Sequence, residues 1–162
     1  MNVDPTAEQV AEMTVLAAEA VRNFGLVPKA ALLSHSNFGA SNSPTARKMR
    51  QALALLRARA PELEVDGEMH ADAALSEAIR DRVVPDSHLS GTANLLVMPG
   101  LDAANIAFNL LKASAGALPV GPLLLGTSKP IHVLVPSVTA RGILNISAIA
   151  TRQAQMVRHE RD

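Results

Sequence analysis

The densest run of chemically capable side chains is Ser34-His35-Ser36-Asn37-Phe38-Gly39-Ala40-Ser41-Asn42-Ser43, followed by Pro44, Arg47, Lys48 and Arg50. Hydroxyls, amides and a glycine leading into a helix can hold a phosphate or pyrophosphate through backbone N–H groups, with the helix dipole assisting. The basic residues in the first turns add positive charge. The same pattern also describes a polar turn, with Ser43 as helix cap and Pro44 at the first helical position. Residue types alone leave both readings open. A second candidate place is Lys129-Pro130-Ile131-His132-Val133-Leu134-Val135-Pro136-Ser137, which reads as a short buried strand running into a helix cap. Open α/β sheets bind ligands where strand ends face helix starts. A hydroxyl, a guanidinium and a carboxylate would serve a catalyst there, but Val135 and Pro136 stand at the junction.

The other polar clusters read as structural. His70 beside Asp66, Glu68 and Asp72 matches no known metal-ligand spacing, and describes a solvated strand-to-helix turn with Asp72 near a helix start, with a polar ligand contact as the alternative. Arg57 and Arg59 sit near a helix end, where the dipole favours cations. Asp102, Asn105 and Asn109 form a polar stripe. It reads as a cap with hydrogen bonds to a neighbouring strand, ahead of contact with an acyl or phosphate group. His35, His88, His132 and His159 have no Ser or Asp partner at readable spacing. His132, in an apolar strand, reads as a satisfied, partly buried histidine.

The elements that must position these residues follow from periodicity. Thr6 and Gln9 have capping-box spacing ahead of a helix from about Ala7 to Phe24, with Gly25 where a left-handed C-terminal residue belongs. Val10, Met13, Ala17, Val21 and Phe24 make its apolar face. Ala30–Leu33 reads as a buried strand. A second helix starts at Pro44 and ends before Pro61. Leu63–Asp66 reads as a strand and Ala71–Arg82 as a helix, with Ala74, Ala78 and Ile79 inward. Asn94–Met98 is the clearest buried strand. Asp102 is placed to cap a helix from Ala103 to about Ala115. Val120–Leu125 and Ile131–Leu134 read as two more strands, and a last helix starts after Ser137 and runs to about Val157. Residues 158–162 read as a frayed tail. This alternation predicts an α/β fold, a mostly parallel sheet with helices on both faces, in one domain over residues 1–162.

Composition excludes several classes. The chain has 162 residues, 48% of them hydrophobic, with three Phe and no Tyr, Trp or Cys. The core must therefore use Ala, Leu, Val, Ile and Met. Fifteen basic and fifteen acidic residues balance, so neither a basic footprint nor an aromatic stacking platform for nucleic acid is present. Without cysteine there is no disulfide framework, thiol nucleophile or Cys-based zinc site. No signal-peptide pattern opens the chain, and no apolar run reaches the ~18 residues a membrane span needs. A cytoplasmic protein, with no nucleic-acid or membrane partner, is the expectation.

Several collinear motifs resemble the phosphate acetyl/butyryl transferase family: residues 34–44 with Lys48-Met49-Arg50, Val65-Asp66-Gly67-Glu68-Met69, Gly91-Thr92-Ala93-Asn94-Leu95-Leu96-Val97-Met98-Pro99, Leu101-Asp102-Ala103-Ala104-Asn105 and Gly121-Pro122-Leu123-Leu124-Leu125-Gly126. The match is most like the C-terminal transferase-like domain of bacterial NADP-dependent malic enzymes, and covers about Thr6 to Gln155. A full family domain is roughly twice this long, so the resemblance implies its C-terminal half. An apolar surface left bare by the other half is then expected. The resemblance places the 34–43 loop beside a coenzyme A cleft, with Ser34, Ser36, Asn37, Ser41, Ser43, Lys129, Ser137 and Arg141 as acyl-CoA or phosphate contacts. Active family members end the strand after Lys-Pro in Ser-Arg, with an Asp six residues after that Arg. Aligned on Lys129-Pro130, those positions hold Val135, Pro136 and Gly142. Arg141 beside the lost Asp can meet an anion but cannot act as a base at neutral pH.

The resemblance therefore implies a non-catalytic module that binds acetyl-CoA, regulates and helps assemble a homo-oligomer. NADP, divalent-metal and malate chemistry would lie in an upstream catalytic domain. Two alternatives stay open. One is an active phosphate acyltransferase in which Ser137, Thr139 and Arg141 compensate. The other is a dimerisation domain using the last helix, along Ile143, Ile146, Ile149, Ala150, Gln153 and Val157.

Overall fold

A computed structural model describes residues 2–116, 118–136 and 138–159, the last three of these through their backbone. The chain divides into two units after Asn109. In the first, α1 (Ala7–Asn23), β1 (Lys29–Leu33), α2 (Pro44–Arg59), β2 (Glu64–Met69), α3 (Ala71–Leu75), α4 (Glu77–Val83) and β3 (Leu95–Val97) follow in chain order. The strands form a parallel sheet in the order β2-β1-β3.

Local signals set the helix ends. Thr6 and Gln9 form the capping box, each accepting the other's backbone N–H. Gly25, at φ 78°, closes α1: its N–H reaches Arg22 O and the Leu26 N–H reaches Val21 O, the paired bonds of a Schellman motif. Ser43 caps α2 by accepting the Ala46 N–H, with Pro44 at the first position.

Period-two alternation along β1 divides the core between two faces. Ala30 and Leu32 meet α1 and α2 through Val10, Ala11, Met49, Ala52 and Leu56. Ala31 and Leu33 face the other way, onto Met69, Ala73, Ala74, Leu89 and Ala93. Helices thus lie on both faces, as the alternation predicts.

Several expectations are corrected. The buried face of α1 is Ala7, Val10, Ala11, Thr14 and Ala18, whereas Met13 and Phe24 are exposed. Small side chains let the helix approach closely, and Thr14 satisfies its hydroxyl by donating to Val10 O. The expected helix over 71–82 breaks at Ser76, which takes extended dihedrals. The break turns α4 so that Ala78 and Ile79 face solvent and Arg80 is fully buried. The Arg80 guanidinium donates to Ala73 O at 3.1 Å and to Leu89 O and Gly91 O at 2.8 Å. It thereby ties the 89–91 segment to the helices. Asp102 does not cap a helix, because α5 (Leu101–Ala115) already includes it in its first turn.

α5 spans the division between the units. It buries no side chain, and Ile106, Leu110 and Leu111 on it are more than half exposed. In the second unit, residues 120–125 and 131–134 form no strand. A strand needs a neighbour's N–H and C=O groups. Among the described residues these two segments share one bond, from Leu124 N to His132 Nδ1. Val120, Leu124, Ile131 and Val133 are correspondingly exposed. The last element, α6 (Ala140–His159), matches the expected helix, with Ile146 its buried contact; the Val157 side chain and residues 160–162 lie outside the described set.

Candidate functional site

β1 delivers the chain to the 34–43 loop at the C-terminal edge of the parallel sheet, where open α/β sheets seat ligands. The loop is sewn to the end of β2. Ser34 N donates to Met69 O and Phe38 N to Glu68 O. His70 N donates to Asn37 Oδ1 at 2.6 Å, and His70 Nε2 lies 2.9 Å from His35 O. Inside the loop, Ser34 Oγ accepts from Ser36 N, Ser36 Oγ from Ser41 N, and Ser41 Oγ from Ser43 N. Phe38 takes a positive φ of 45° to complete the turn.

The centre of this web is a carboxylate. The β1–β2 register shifts between Leu32, opposite Gly67, and Leu33, opposite Met69, so Glu68 has no opposite number. Val65 consequently faces the α1–α2 side while Met69 faces the other. A bulge of this kind re-aims a side chain. Glu68 is fully buried, and its Oε1 accepts from Ser36 Oγ at 2.7 Å, Gly39 N at 3.0 Å and Arg50 Nη1 at 2.7 Å. Its Oε2 has no partner among the described residues. Arg50 also donates to Ser41 O and Asn42 Oδ1. Gly67 is obligatory beside it: a Cβ there would lie 2.7 Å from Leu32 O, at φ 145°.

Alternate residues of β2 are acidic, and each meets a cation. Glu64 lies 3.8 Å from Lys29, Asp66 3.1 Å from Arg57 and Glu68 2.7 Å from Arg50. Asp66 is buried and satisfied on both oxygens, by Gly67 N and Arg57 on one and by Ser87 Oγ and His88 N on the other. The dipole account of Arg57 is therefore incomplete. Burial pushes the Glu64 carboxyl up, but hydrogen bonds from Ser90 and the charges of Lys29 and Arg80 outweigh it and hold it below the usual glutamate range. An open hollow of about 430 Å³ runs along this edge, lined by Arg50, Arg57, Asp66, Glu68, Asp86 and His88 among others.

The structure brings together Ser34, Ser36, Asn37, Ser41 and Ser43. It also gives His35 a partner that sequence spacing did not reveal: Nε2 lies 3.3 Å from Ser43 Oγ. Asn105 and Asn109 bond to one another along α5 rather than to a strand. Lys129 and Arg141 belong to the second unit and are exposed, Arg141 in the first turn of α6; Ser137 lies outside the described residues. His132 is half-buried and engaged on both ring nitrogens, by Leu124 N and Gln153 Oε1. Val135 is exposed, with its carbonyl accepting from Val138 N. Thr139 caps α6 by accepting from Gly142 N. A Cβ on Gly142 would stand 2.7 Å from Val138 Cγ2.

The sequence pattern points to the loop hydroxyls but puts Asp66 and Glu68 in a solvated turn, where the structure buries both, and gives no sign of Arg80. The signal available for Glu68 was the acid at every second position of a short strand, with a glycine before the last.

The fold and this sheet edge define the class. The chain superposes on a phosphotransacetylase from Streptococcus pyogenes with a TM-score of 0.92 and 34% identity, over 96% of this chain and 47% of that one. It is therefore a phosphotransacetylase-like α/β protein. The model of phosphate acetyl/butaryl transferase matches residues 1–151, and the chain belongs to that family. It is 56% identical over 156 residues to an NADP-dependent malic enzyme of Escherichia coli (strain K12), covering 96% of this chain and 21% of that protein. It is 41% identical over 154 residues to a phosphate acetyltransferase of Paracoccus denitrificans, covering 94% of this chain and 48% of that protein. The chain thus spans about a fifth of the one relative and half of the other. No helix among the described residues is long and apolar enough to cross a membrane.

Proposed function

We propose that this chain is a transferase-fold module that binds acetyl-CoA without turning it over, and serves regulation and homo-oligomer assembly in a malic-enzyme-type protein. In that protein NADP, a divalent metal and malate would be handled by an upstream catalytic domain. The observation that carries the reading is the state of positions 135, 136 and 142. Acetyl transfer to phosphate needs a base or polariser for the thiol, a cation for the phosphate and donors for the tetrahedral oxyanion. Val135 and Pro136 offer no such side chain, and Gly142 has Val138 standing where a side chain would begin. The loop at the sheet edge keeps its hydroxyls and its ordered backbone, which suits a retained ligand-binding role. The bare apolar residues of α5 support a further segment or a second copy covering that surface. Coupling to a remote active site would require two states of different acetyl-CoA affinity.

An assay of phosphate-dependent interconversion of acetyl-CoA and acetyl phosphate, on the protein that carries this chain, tests the reading. The expected rate is indistinguishable from the uncatalysed background. A rate above background that disappears in Thr139→Ala or Arg141→Ala would establish an active acyltransferase with displaced groups instead.

A further inference from the structure

The geometry points to Glu68 as the positioning residue of the 34–43 loop: the bulge at the end of β2 aims its carboxylate into the loop and fixes the conformation that faces an anionic ligand. This rests on the acetyl-CoA reading above, and deepens it.

Three observations carry it. Glu68 is the residue skipped in the β1–β2 register, so its direction is set by the bulge and not by the strand's alternation. One of its oxygens gathers a hydroxyl and a backbone N–H from the loop, Ser36 and Gly39, and a guanidinium from α2, Arg50. Arg50 then reaches on to Ser41 O and Asn42 Oδ1, and Ser36 Oγ receives the Ser41 N–H. Removing the Glu68 side chain thus frees Ser36 Oγ, Gly39 N and Arg50 together and loosens the loop around them, whereas the sheet beneath is held by its own ladder. The hydrogen bonds found among the described residues do not use the hydroxyl protons of Ser34 and Ser41, whose oxygens accept. A loop locked in one shape offers those donors at no further ordering cost, which is how preorganised sites gain affinity.

A glutamine fits the same role. Its carbonyl oxygen keeps two lone pairs for the donors that meet Oε1, and its amide would stand where Oε2 has no partner. A leucine cannot accept any. Amide exchange measured by NMR on Glu68→Leu, Glu68→Gln and Ser36→Ala, together with acetyl-CoA titration, tests the assignment. Expected is at least tenfold faster exchange at Gly39 and Ser41 in Glu68→Leu, with Leu32 on β1 unchanged. Acetyl-CoA affinity falls about tenfold, and Glu68→Gln restores both. Ser36→Ala, the milder change, releases the Ser41 amide while Gly39 keeps its protection. Equal acceleration at Leu32 and the loop, or no rescue by glutamine, overturns the assignment. A released loop with unchanged affinity overturns its ligand role and leaves acetyl-CoA binding standing. A wild-type protein that binds no acetyl-CoA, yet shows the expected exchange pattern, overturns the functional reading and supports Glu68 as the loop's fastening.

Discussion

Replacing Arg80 with methionine should cost about 3 kcal/mol, and the number follows from its bonds. The guanidinium is fully buried and serves three carbonyls, those of Ala73, Leu89 and Gly91. An acceptor left unsatisfied in the interior costs about 1–3 kcal/mol. The Ala73 and Leu89 bonds are buried, while the Gly91 bond is partly exposed and can pass to water. Methionine retains most of the volume, so cavity formation adds little. Removing a buried charge returns part of its desolvation cost. The balance is about 3 kcal/mol, against the roughly 5–15 kcal/mol that holds a domain folded. With a urea slope near 2 kcal/mol/M, the midpoint should fall by about 1.5 M at unchanged slope. Arg80→Lys should fall between, since one ammonium cannot reach three carbonyls in the guanidinium's fork geometry. Glu77→Gln should move the midpoint by less than ~0.3 M, because the exposed Glu77 side chain lies 3.9 Å from Arg80 and a glutamine oxygen still accepts the Gly91 N–H. A midpoint shift below ~0.3 M for Arg80→Met would contradict a role for this side chain in holding the 89–91 segment.

Three further outcomes can be measured in the same way. Gly67→Ala should destabilise by about 2–4 kcal/mol in urea, because its Cβ would meet Leu32 O at 2.7 Å from a φ that disfavours side chains; a loss under ~1 kcal/mol contradicts the close approach of β1 and β2. Asp66→Asn should cost about 2–4 kcal/mol, since an amide NH₂ on either side faces existing donors: Gly67 N and Arg57, or Ser87 Oγ and His88 N. A neutral result in a thermal melt would mean that these donors turn to solvent instead. Glu64 has its folded pKa held down, so its contribution is present above the unfolded value and lost as pH falls through the folded one. The stability gap between wild type and Glu64→Gln should therefore shrink between about pH 6 and pH 3; a gap that widens on acidification reverses the sign.

What could be read in the sequence was whatever is decided locally. The Thr6–Gln9 box, the Gly25 stop and the Ser43-Pro44 start each depend on neighbours within a turn, and each formed as expected. Two strands of the sheet were visible as short apolar runs and the third as Leu63–Asp66, although β2 extends to Met69 with Asp66 and Glu68 buried, a burial that their pairing with Arg57 and Arg50 of α2 explains. Residues 120–125 and 131–134 carry the same apolar signal but pair with no strand among the described residues, since pairing is a property of two segments and not of one. The inward turn of Arg80 depends on the break at Ser76, which no periodicity marks. The loop hydroxyls were recognised as a candidate site, but most of their hydrogen-bonding capacity holds the loop itself. The burial of the carboxylate that organises them was not legible, because a one-residue bulge changes the side to which every following residue points.

The most direct test of a transferase fold kept for binding is calorimetric titration of acetyl-CoA into the protein that carries this chain, with inorganic phosphate present. Expected are saturating heats that return to the starting baseline after each injection, binding without turnover. A baseline displaced steadily while acetyl-CoA lasts would show acetyl transfer, and an absence of heat at millimolar acetyl-CoA would show no binding. Either result contradicts the account.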